Sequence, residues 1–183
     1  MVDSLRYSWK KLKSLVIETQ TTLSKIQPVF KADLVSAVQR FSVDVKEFTR
    51  EYDENGPMVK NIAPKTATER LILFQRAFDE LNRKWETYTA GEQLFSLPVT
   101  PFPSLVKIKK ELKLCQTLYA LYNDVLEKKG SYAETLWVDL DVNRINNDMT
   151  DFQNKIKKLP KAIKDWDAFQ ELRKIVDNLY GFV

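Results

Sequence analysis

The sequence predicts an all-α protein, an elongated multi-helix bundle of long antiparallel helices with coiled-coil-like heptad seams. Six stretches repeat apolar residues at alternating three- and four-residue steps, which aligns their side chains along one helix face. The 183 residues include only 4 Gly and 7 Pro, so turns are few and the segments between them are long. Sandwiches and barrels need many more turns. A content of 44% hydrophobic and 30% charged residues is typical of a folded, helix-rich chain.

The first two stretches predict an N-terminal hairpin of two helices that meet at Pro28. The first helix runs from about Ser4 to Gln27 and the second ends near Glu54, because proline lacks an N–H and disfavours helix in the residue before it. The alternative is one kinked helix through Pro28, a rod of roughly 70 Å or more at 1.5 Å per residue. The two apolar stripes are Leu5, Trp9, Leu12, Val16, Thr19, Leu23 and Ile26, then Phe30, Leu34, Val38, Phe41, Val45, Phe48 and Tyr52.

The third helix is predicted to follow a loop over residues 55–65, which opens with the strong stop signal Asn55-Gly56-Pro57. Thr66 or Thr68 is expected to cap it. Its stripe advances in steps of 4-3-4-3-4-3 and must be covered by another helix. The stripe consists of Ala67, Leu71, Phe74, Phe78, Leu81, Trp85 and Tyr88.

This helix is expected to end between Gly91 and Leu97, and a stiff connector follows it. Three prolines within six residues cannot continue a helix and favour extended backbone. They are Pro98, Pro101 and Pro103.

The fourth helix is predicted from about Ser104 to Lys129, with Gly130 at its end and a short further turn over 131–137. It carries two apolar stripes, so it should touch neighbours on two sides and lie at the centre of the C-terminal half. The stripes are Leu105, Ile108, Leu112, Cys115, Tyr119, Tyr122 and Leu126, and Leu114, Leu118, Leu121 and Val125.

Two shorter helices complete the prediction. Asp139 or Asp141 is expected to cap the fifth helix and Pro160 to end it. Trp9, Trp85, Trp137 and Trp166 are expected as core or seam anchors, with docking onto a neighbouring domain as the alternative for Trp137. The inward residues are Val142, Ile145, Met149, Phe152, Ile156 and Leu159, then Ile163, Trp166, Phe169, Leu172, Ile175 and Leu179.

We expect no catalytic, cofactor-binding or metal-binding residues in this chain. There is no His, and the one cysteine, Cys115, lies on an apolar stripe, which favours a buried packing thiol over a nucleophile. The four glycines are too far apart for a phosphate-binding loop. Asp139 with Asp141, and the cluster of Glu51, Asp53 and Glu54, have the residue types of an acid/base pair or weak metal site. At helix ends we interpret them as caps and solvated charge.

The net charge of +4 is spread along the chain and does not predict a nucleic-acid site. Two groups of lysines are candidates for a role beyond solubility, and the first could contact an acidic partner such as tubulin or a membrane surface. The interpretation we favour is a solvated helix face for both, with complementation of the helix dipole for the second. The first group consists of Lys107, Lys109, Lys110 and Lys113, and the second consists of Lys155, Lys157, Lys158, Lys161 and Lys164. No apolar run is long enough to cross a bilayer.

From the third helix onward the sequence resembles dynein heavy chains of the axonemal outer-arm type, at the junction of tail and linker. The resemblance covers about residues 66–180, while residues 1–60 resemble only tail helices in general. Ser96 and Phe102 stand where the resemblance leads us to expect glycine and tyrosine. The residues that carry it include Phe74-Gln75-Arg76-Ala77-Phe78-Asp79-Glu80-Leu81, Gly91-Glu92-Gln93-Leu94-Phe95-Ser96-Leu97-Pro98-Val99-Thr100, Leu105 to Tyr122, Leu136-Trp137, Ile145-Asn146, Phe152-Gln153, Lys158-Leu159-Pro160-Lys161-Ala162 and Asp165-Trp166.

The resemblance implies tail-type helices over 1–93, a proline-rich connector over 94–104 and the start of a linker-type bundle over 105–183. It implies a non-catalytic mechanical segment that transmits force between the tail and the AAA motor ring of a microtubule motor. ATP and Mg²⁺ are expected only in that downstream ring. A spectrin-like interaction or tethering module is the alternative.

The partners that the resemblance implies are other dynein subunits or heavy-chain regions, with microtubules reached through distant parts of the parent protein. No nucleic acid, membrane or small-molecule substrate is expected. The expected location is the cytoskeleton of the ciliary or flagellar axoneme, with the cytoplasm as the alternative.

Overall fold

The computed structural model describes residues 2–60, 62–134 and 142–180, and within them the regular secondary structure is entirely helical. This confirms the all-α, multi-helix prediction. The α-helices are α1 (Val2–Asn55), α2 (Pro64–Leu94), α3 (Pro103–Glu134), α4 (Val142–Lys158) and α5 (Asp167–Tyr180), and a short 3₁₀ helix spans Lys161–Ile163. No helix in the described part of the chain is long and apolar enough to cross a membrane.

The predicted N-terminal hairpin is wrong, because α1 runs through Pro28 as one helix, the alternative that the sequence had left open. A proline inside a helix costs one backbone hydrogen bond and introduces a steric conflict. The residues around Pro28 are all exposed, so water can hydrate the Ser24 carbonyl that loses its N–H partner. Neither neighbour, Gln27 or Val29, is a turn residue, and the chain has no local reason to reverse there.

The chain divides into two compact units: residues 1–44 with 83–101, and residues 45–82 with 102–183. In the first unit, Phe41 is almost fully buried and meets Tyr88 edge-on at 5.3 Å between ring centroids. Leu34 lies against Gly91 so closely that a Cβ on the glycine would be 3.1 Å from a leucine methyl. The stripes of α1 and α2 therefore pack on each other from Leu34 onward.

In the second unit, α3 is the central helix, as its two stripes predict. Its Tyr119 hydroxyl donates to the Pro57 carbonyl at 2.9 Å, and Asn123 donates to the Thr68 hydroxyl at 3.0 Å. On another side, the Tyr122 hydroxyl bonds Glu171 of α5 at 3.4 Å. The buried residues of α3 are Leu105, Ile108, Leu112, Cys115, Leu118, Tyr119, Leu121, Tyr122 and Val125.

Helices α4 and α5 pack their apolar faces together in this unit. Met149, Phe152 and Ile156 of α4 are buried, as predicted. On α5, Phe169 and Leu172 are buried as predicted, and Val176 is buried beside a half-buried Ile175.

Two predicted helix boundaries are wrong. The first is the cap of α2: the helix begins at Pro64, and the Thr68 hydroxyl donates back to the Pro64 carbonyl at 2.8 Å instead of capping. The second is Gly130, which lies inside α3 with no positive φ. Beyond it, the Tyr132 hydroxyl donates a short hydrogen bond to Asp148 of α4, and Lys128 bonds the same carboxylate at 3.3 Å. These contacts stabilise the last turn of α3.

Asp148 binds these partners as a carboxylate. The hydrogen bond from Tyr132 is the largest of the effects that hold its pKa below the usual range. The predicted caps Asp139 and Asp141, and the predicted anchor Trp137, lie outside the described residues.

Candidate functional site

The carboxylates considered in the sequence do not form a converging site in the described residues. Glu51, Asp53 and Glu54 are exposed on the last turns of α1. Within residues 2–60, 62–134 and 142–180, no group of three or more His, Cys, Asp or Glu residues is placed to hold a metal ion. Those three side chains have the placement of solvated charge.

Cys115 is fully buried in α3, and burial raises the pKa of its thiol to about 12. A thiol with such a pKa stays protonated at neutral pH and is a poor nucleophile. Burial also raises the pKa of Tyr52, which lies near this cysteine. The thiol acts as a packing group, as the sequence predicts.

An open groove of about 560 Å³ lies between α4 and α5. Charges of both signs alternate along it, so no potential of one sign develops. Arg173 is paired with Asp177 at 3.6 Å on the same helix. The residues that line the groove are Gln153, Ile156, Lys157, Lys164, Asp165, Phe169, Gln170, Arg173 and Asp177.

The lysine groups have the geometry of solvated helix faces. Lys107 pairs with Glu111 one turn away at 3.7 Å, and Lys155 pairs with Asp151 at 2.8 Å and with Asp124 of α3 at 3.8 Å. The first group and most of the second are exposed, so such pairs contribute little to stability. The positive charge of Lys155 is balanced within the fold.

The first candidate feature is the end of α2, where the backbone forms a Schellman motif. The Leu97 N–H donates to the Glu92 carbonyl at 2.8 Å, and the Ser96 N–H donates to the Gln93 carbonyl at 3.1 Å. Ser96 has a φ of 52°, the left-handed conformation that this motif requires and that glycine adopts most easily. The motif turns the chain sharply out of the helix.

Glu92 then ties the connector to the helix. Its side chain is only 5% exposed, and its two carboxylate oxygens accept from the Thr100 N–H at 3.0 Å and the Thr100 hydroxyl at 2.7 Å. Hydrogen bonds to a buried carboxylate are among the stronger ones in proteins. The sequence pattern does not predict this role for Glu92, since its partner is eight positions further along the chain and Pro98 lies between them. The segment 91–101, with these bonds, is called the α2 exit below.

The second candidate feature is an uncovered apolar face on α1. Every residue from Ser4 to Asp33 is exposed, including Leu5 at 67% and Trp9 at 68%. The prediction that this stripe packs in a hairpin is therefore wrong. The cover supplied by α2 stops where Gly91 meets Leu34, three residues before α2 ends. The α1 face, as we call it, consists of Leu5, Trp9, Leu12, Val16, Leu23, Ile26 and Phe30.

Comparison with known sequences identifies the family. Residues 105–182, which begin within the first turn of α3, match the family described as dynein heavy chain, N-terminal region 2. The chain is 48% identical over 177 residues to dynein axonemal heavy chain 5 of Mus musculus, which aligns 97% of this chain with 4% of that protein. The chain belongs to the dynein heavy chain family.

Other dynein relatives agree. Dynein axonemal heavy chain 8 of Homo sapiens is 48% identical over 177 residues, with 97% of this chain and 4% of that protein covered. The dynein gamma chain of the flagellar outer arm of Chlamydomonas reinhardtii is 39% identical over 180 residues, again with 97% and 4% covered. The chain thus spans about one twenty-fifth of the length of these dyneins.

The backbone strain at Ser96 can be tested by substitution with glycine, the residue that the dynein resemblance leads us to expect at this position. Ser96→Gly should raise the free energy of unfolding by about 1 kcal/mol, since it removes the strain of a left-handed non-glycine residue. Urea denaturation followed by circular dichroism measures the change. A matched Ser42→Gly change, in the regular interior of α1, should lower stability instead. A destabilised Ser96→Gly protein would contradict the strain assigned to this position.

Proposed function

We propose that this dynein heavy chain segment is a non-catalytic mechanical element that transmits force between the tail and the AAA motor ring. The chain is a structural segment of the N-terminal region of a motor protein. Its axonemal relatives place it in the cytoskeleton of the ciliary or flagellar axoneme. ATP and Mg²⁺ would be bound elsewhere in the heavy chain, and the partners would be other dynein subunits or heavy-chain regions. Microtubules would be contacted by distant parts of the protein.

The observation that carries this proposal is the clamped α2 exit. A connector can transmit a displacement only if it does not itself extend or bend under load. Here the chain leaves α2 through a hydrogen-bonded turn, is held again at Thr100 by a buried carboxylate, and enters α3 at Pro103. Between those points it contains Pro98 and Pro101, whose φ angles are fixed by their rings.

The experiment adds slack to this connector in the full-length heavy chain. Insertion of Gly-Gly between Val99 and Thr100 places a flexible link inside the α2 exit, between the Schellman motif and Thr100. We expect the velocity of microtubule gliding to fall while the rate of ATP hydrolysis in solution is unchanged, because only the delivery of the movement is impaired.

The control inserts Gly-Gly after Lys60, in the loop between α1 and α2. On that side the two helices pack directly: Phe74 of α2 lies 6.0 Å from Phe48 and 5.4 Å from Tyr52 of α1, between ring centroids. The direct contacts between α1 and α2 therefore carry the load instead of the loop, and the velocity of microtubule gliding should be unchanged. Equal velocities for the two insertions would overturn the proposal.

The spectrin-like tethering alternative is favoured by one observation, the uncovered α1 face. A segment whose role was only to bind a neighbour would tolerate a flexible insertion in the connector. It would lose that binding when residues of the α1 face are substituted. The insertion at Val99 therefore separates the two functions.

A further inference from the structure

The α2 exit contains a threonine in the sequence context of a kinase substrate. Thr100 is followed by Pro101, and no other proline of the chain follows a Ser or Thr. Kinases that require this proline bind their substrates in extended backbone, the conformation that a residue before proline favours. Residues 97–102 lie outside regular secondary structure, and the two neighbours of the threonine, Val99 and Pro101, are exposed. The backbone of this segment therefore suits a kinase that acts on Thr-Pro.

The hydroxyl of Thr100 also has a structural role. It donates to one oxygen of the Glu92 carboxylate at 2.7 Å, and the N–H of the same threonine donates to the other oxygen at 3.0 Å. Glu92 is only 5% exposed, and within the described part of the chain it forms no ion pair with a Lys or Arg. A second negative charge at this contact would meet no basic side chain that already balances the first.

Transfer of a phosphoryl group to Thr100 would change this attraction into a repulsion. The hydroxyl oxygen attacks the γ-phosphorus of ATP, the new O–P bond forms as the bond to the leaving ADP breaks, and the hydroxyl proton passes to a base of the kinase. The oxygen then has no hydrogen to donate to Glu92, and the phosphate carries a charge of about −1.5 to −2 at pH 7. Like charges this close repel strongly where water is excluded.

We propose that Thr100 is a phosphorylation site for a proline-directed kinase, and that phosphate on it releases the connector from Glu92. The hydroxyl is half-buried and hydrogen-bonded, so the kinase modifies the α2 exit during its transient local openings. Once attached, the phosphate prevents the contact from forming again. The α2 exit is then a switch between a clamped state and a phosphorylated, released state.

The first test measures phosphorylation of the full-length heavy chain by a purified mitogen-activated protein kinase and ATP, with mass spectrometry to locate the phosphate. We expect Thr100 to be modified in the native protein and about tenfold faster in the Glu92→Gln variant, because a neutral amide accepts these hydrogen bonds more weakly than a carboxylate. The matched control is Glu80→Gln, the same change at an exposed position of α2, which should leave the rate unchanged.

Two results of this test would overturn the proposal. Phosphate at Thr100 only in the denatured protein would show that the folded α2 exit is not a substrate. Equal rates for Glu92→Gln and the native protein would show that the contact with Glu92 does not control access to the hydroxyl.

The second test uses hydrogen exchange, read by mass spectrometry, to detect the release. After phosphorylation the Thr100 amide should exchange about tenfold faster or more, because it has lost its carboxylate acceptor. The Leu97 amide is an internal reference, since it donates to a backbone carbonyl of the Schellman motif and should stay protected. An unchanged exchange rate at Thr100 would show a modification that releases nothing, and the switch would be excluded.

Three variants isolate the effect of charge without a kinase. Thr100→Glu adds a negative charge beside Glu92, whereas Val99→Glu adds the same charge at the adjacent exposed side chain. Thr100→Val removes the hydroxyl and adds no charge, and it keeps the N–H that Glu92 accepts. Only Thr100→Glu should accelerate exchange at position 100 about tenfold or more. Equal acceleration in Val99→Glu would contradict a specific repulsion from Glu92.

Release of the connector does not depend on force transmission, but its effect on movement rests on that proposed function. If both hold, phosphorylation at Thr100 lowers the velocity of microtubule gliding and leaves ATP hydrolysis in solution unchanged. Faster exchange with normal gliding would overturn the proposed force transmission and leave the switch in place. Unchanged exchange would overturn the switch at any gliding velocity.

Discussion

Leu118→Ala is expected to lower the free energy of unfolding by about 2–5 kcal/mol. Leu118 is 0% exposed at the centre of α3, and α3 joins the α1–α2 loop, α2 and α5 within the second unit. Truncation removes apolar contacts and leaves a cavity that helices held from several sides cannot close. Urea denaturation followed by tryptophan fluorescence measures the loss.

The matched control is Leu73→Ala on α2, the same chemical change at a side chain that is 63% exposed. Its effect should stay within about 0.5 kcal/mol. Similar losses for the two variants would mean that α3 is not the packing centre of the second unit.

Gly56→Ala is expected to destabilise the protein by about 1–3 kcal/mol, the usual cost of forcing extra atoms into a packed site. A Cβ at this position would lie 2.3 Å from the Tyr52 carbonyl oxygen, which already accepts the Gly56 N–H at 2.8 Å. The backbone must shift to relieve this contact. The shift would also move the neighbouring Pro57 carbonyl away from the Tyr119 hydroxyl. Thermal unfolding followed by circular dichroism measures the change.

Gly130→Ala provides the opposite case. A Cβ there meets nothing within 4 Å, and the residue lies inside α3, so alanine should stabilise the helix by about 1 kcal/mol. Two glycine-to-alanine changes of opposite sign would separate a steric requirement from helix propensity. If both variants were stabilised, the close approach at Gly56 would be excluded.

The apolar spacing was sufficient to predict most of the packed faces. The stripe from Ala67 to Tyr88 is buried or half-buried along its length, and the two stripes of α3 made it the central helix. Boundaries at single residues were less reliable. Gly130 and Pro28 have local preferences worth only a few kcal/mol, which a long helix with distant contacts or good hydration can override.

The sequence by itself determined that the protein is helical, where its apolar stripes lie and which family it resembles, because these follow from residue spacing and local chemistry. Only the tertiary structure decided which stripes are covered. It showed that Glu92 reaches Thr100, that Ser96 adopts a left-handed conformation, and that the α1 face lacks a partner within the described residues. Burial depends on how far a neighbouring helix extends, and α2 ends shortly beyond the level of Leu34. A periodic pattern states that a face requires cover, but it contains no information about which segment provides it.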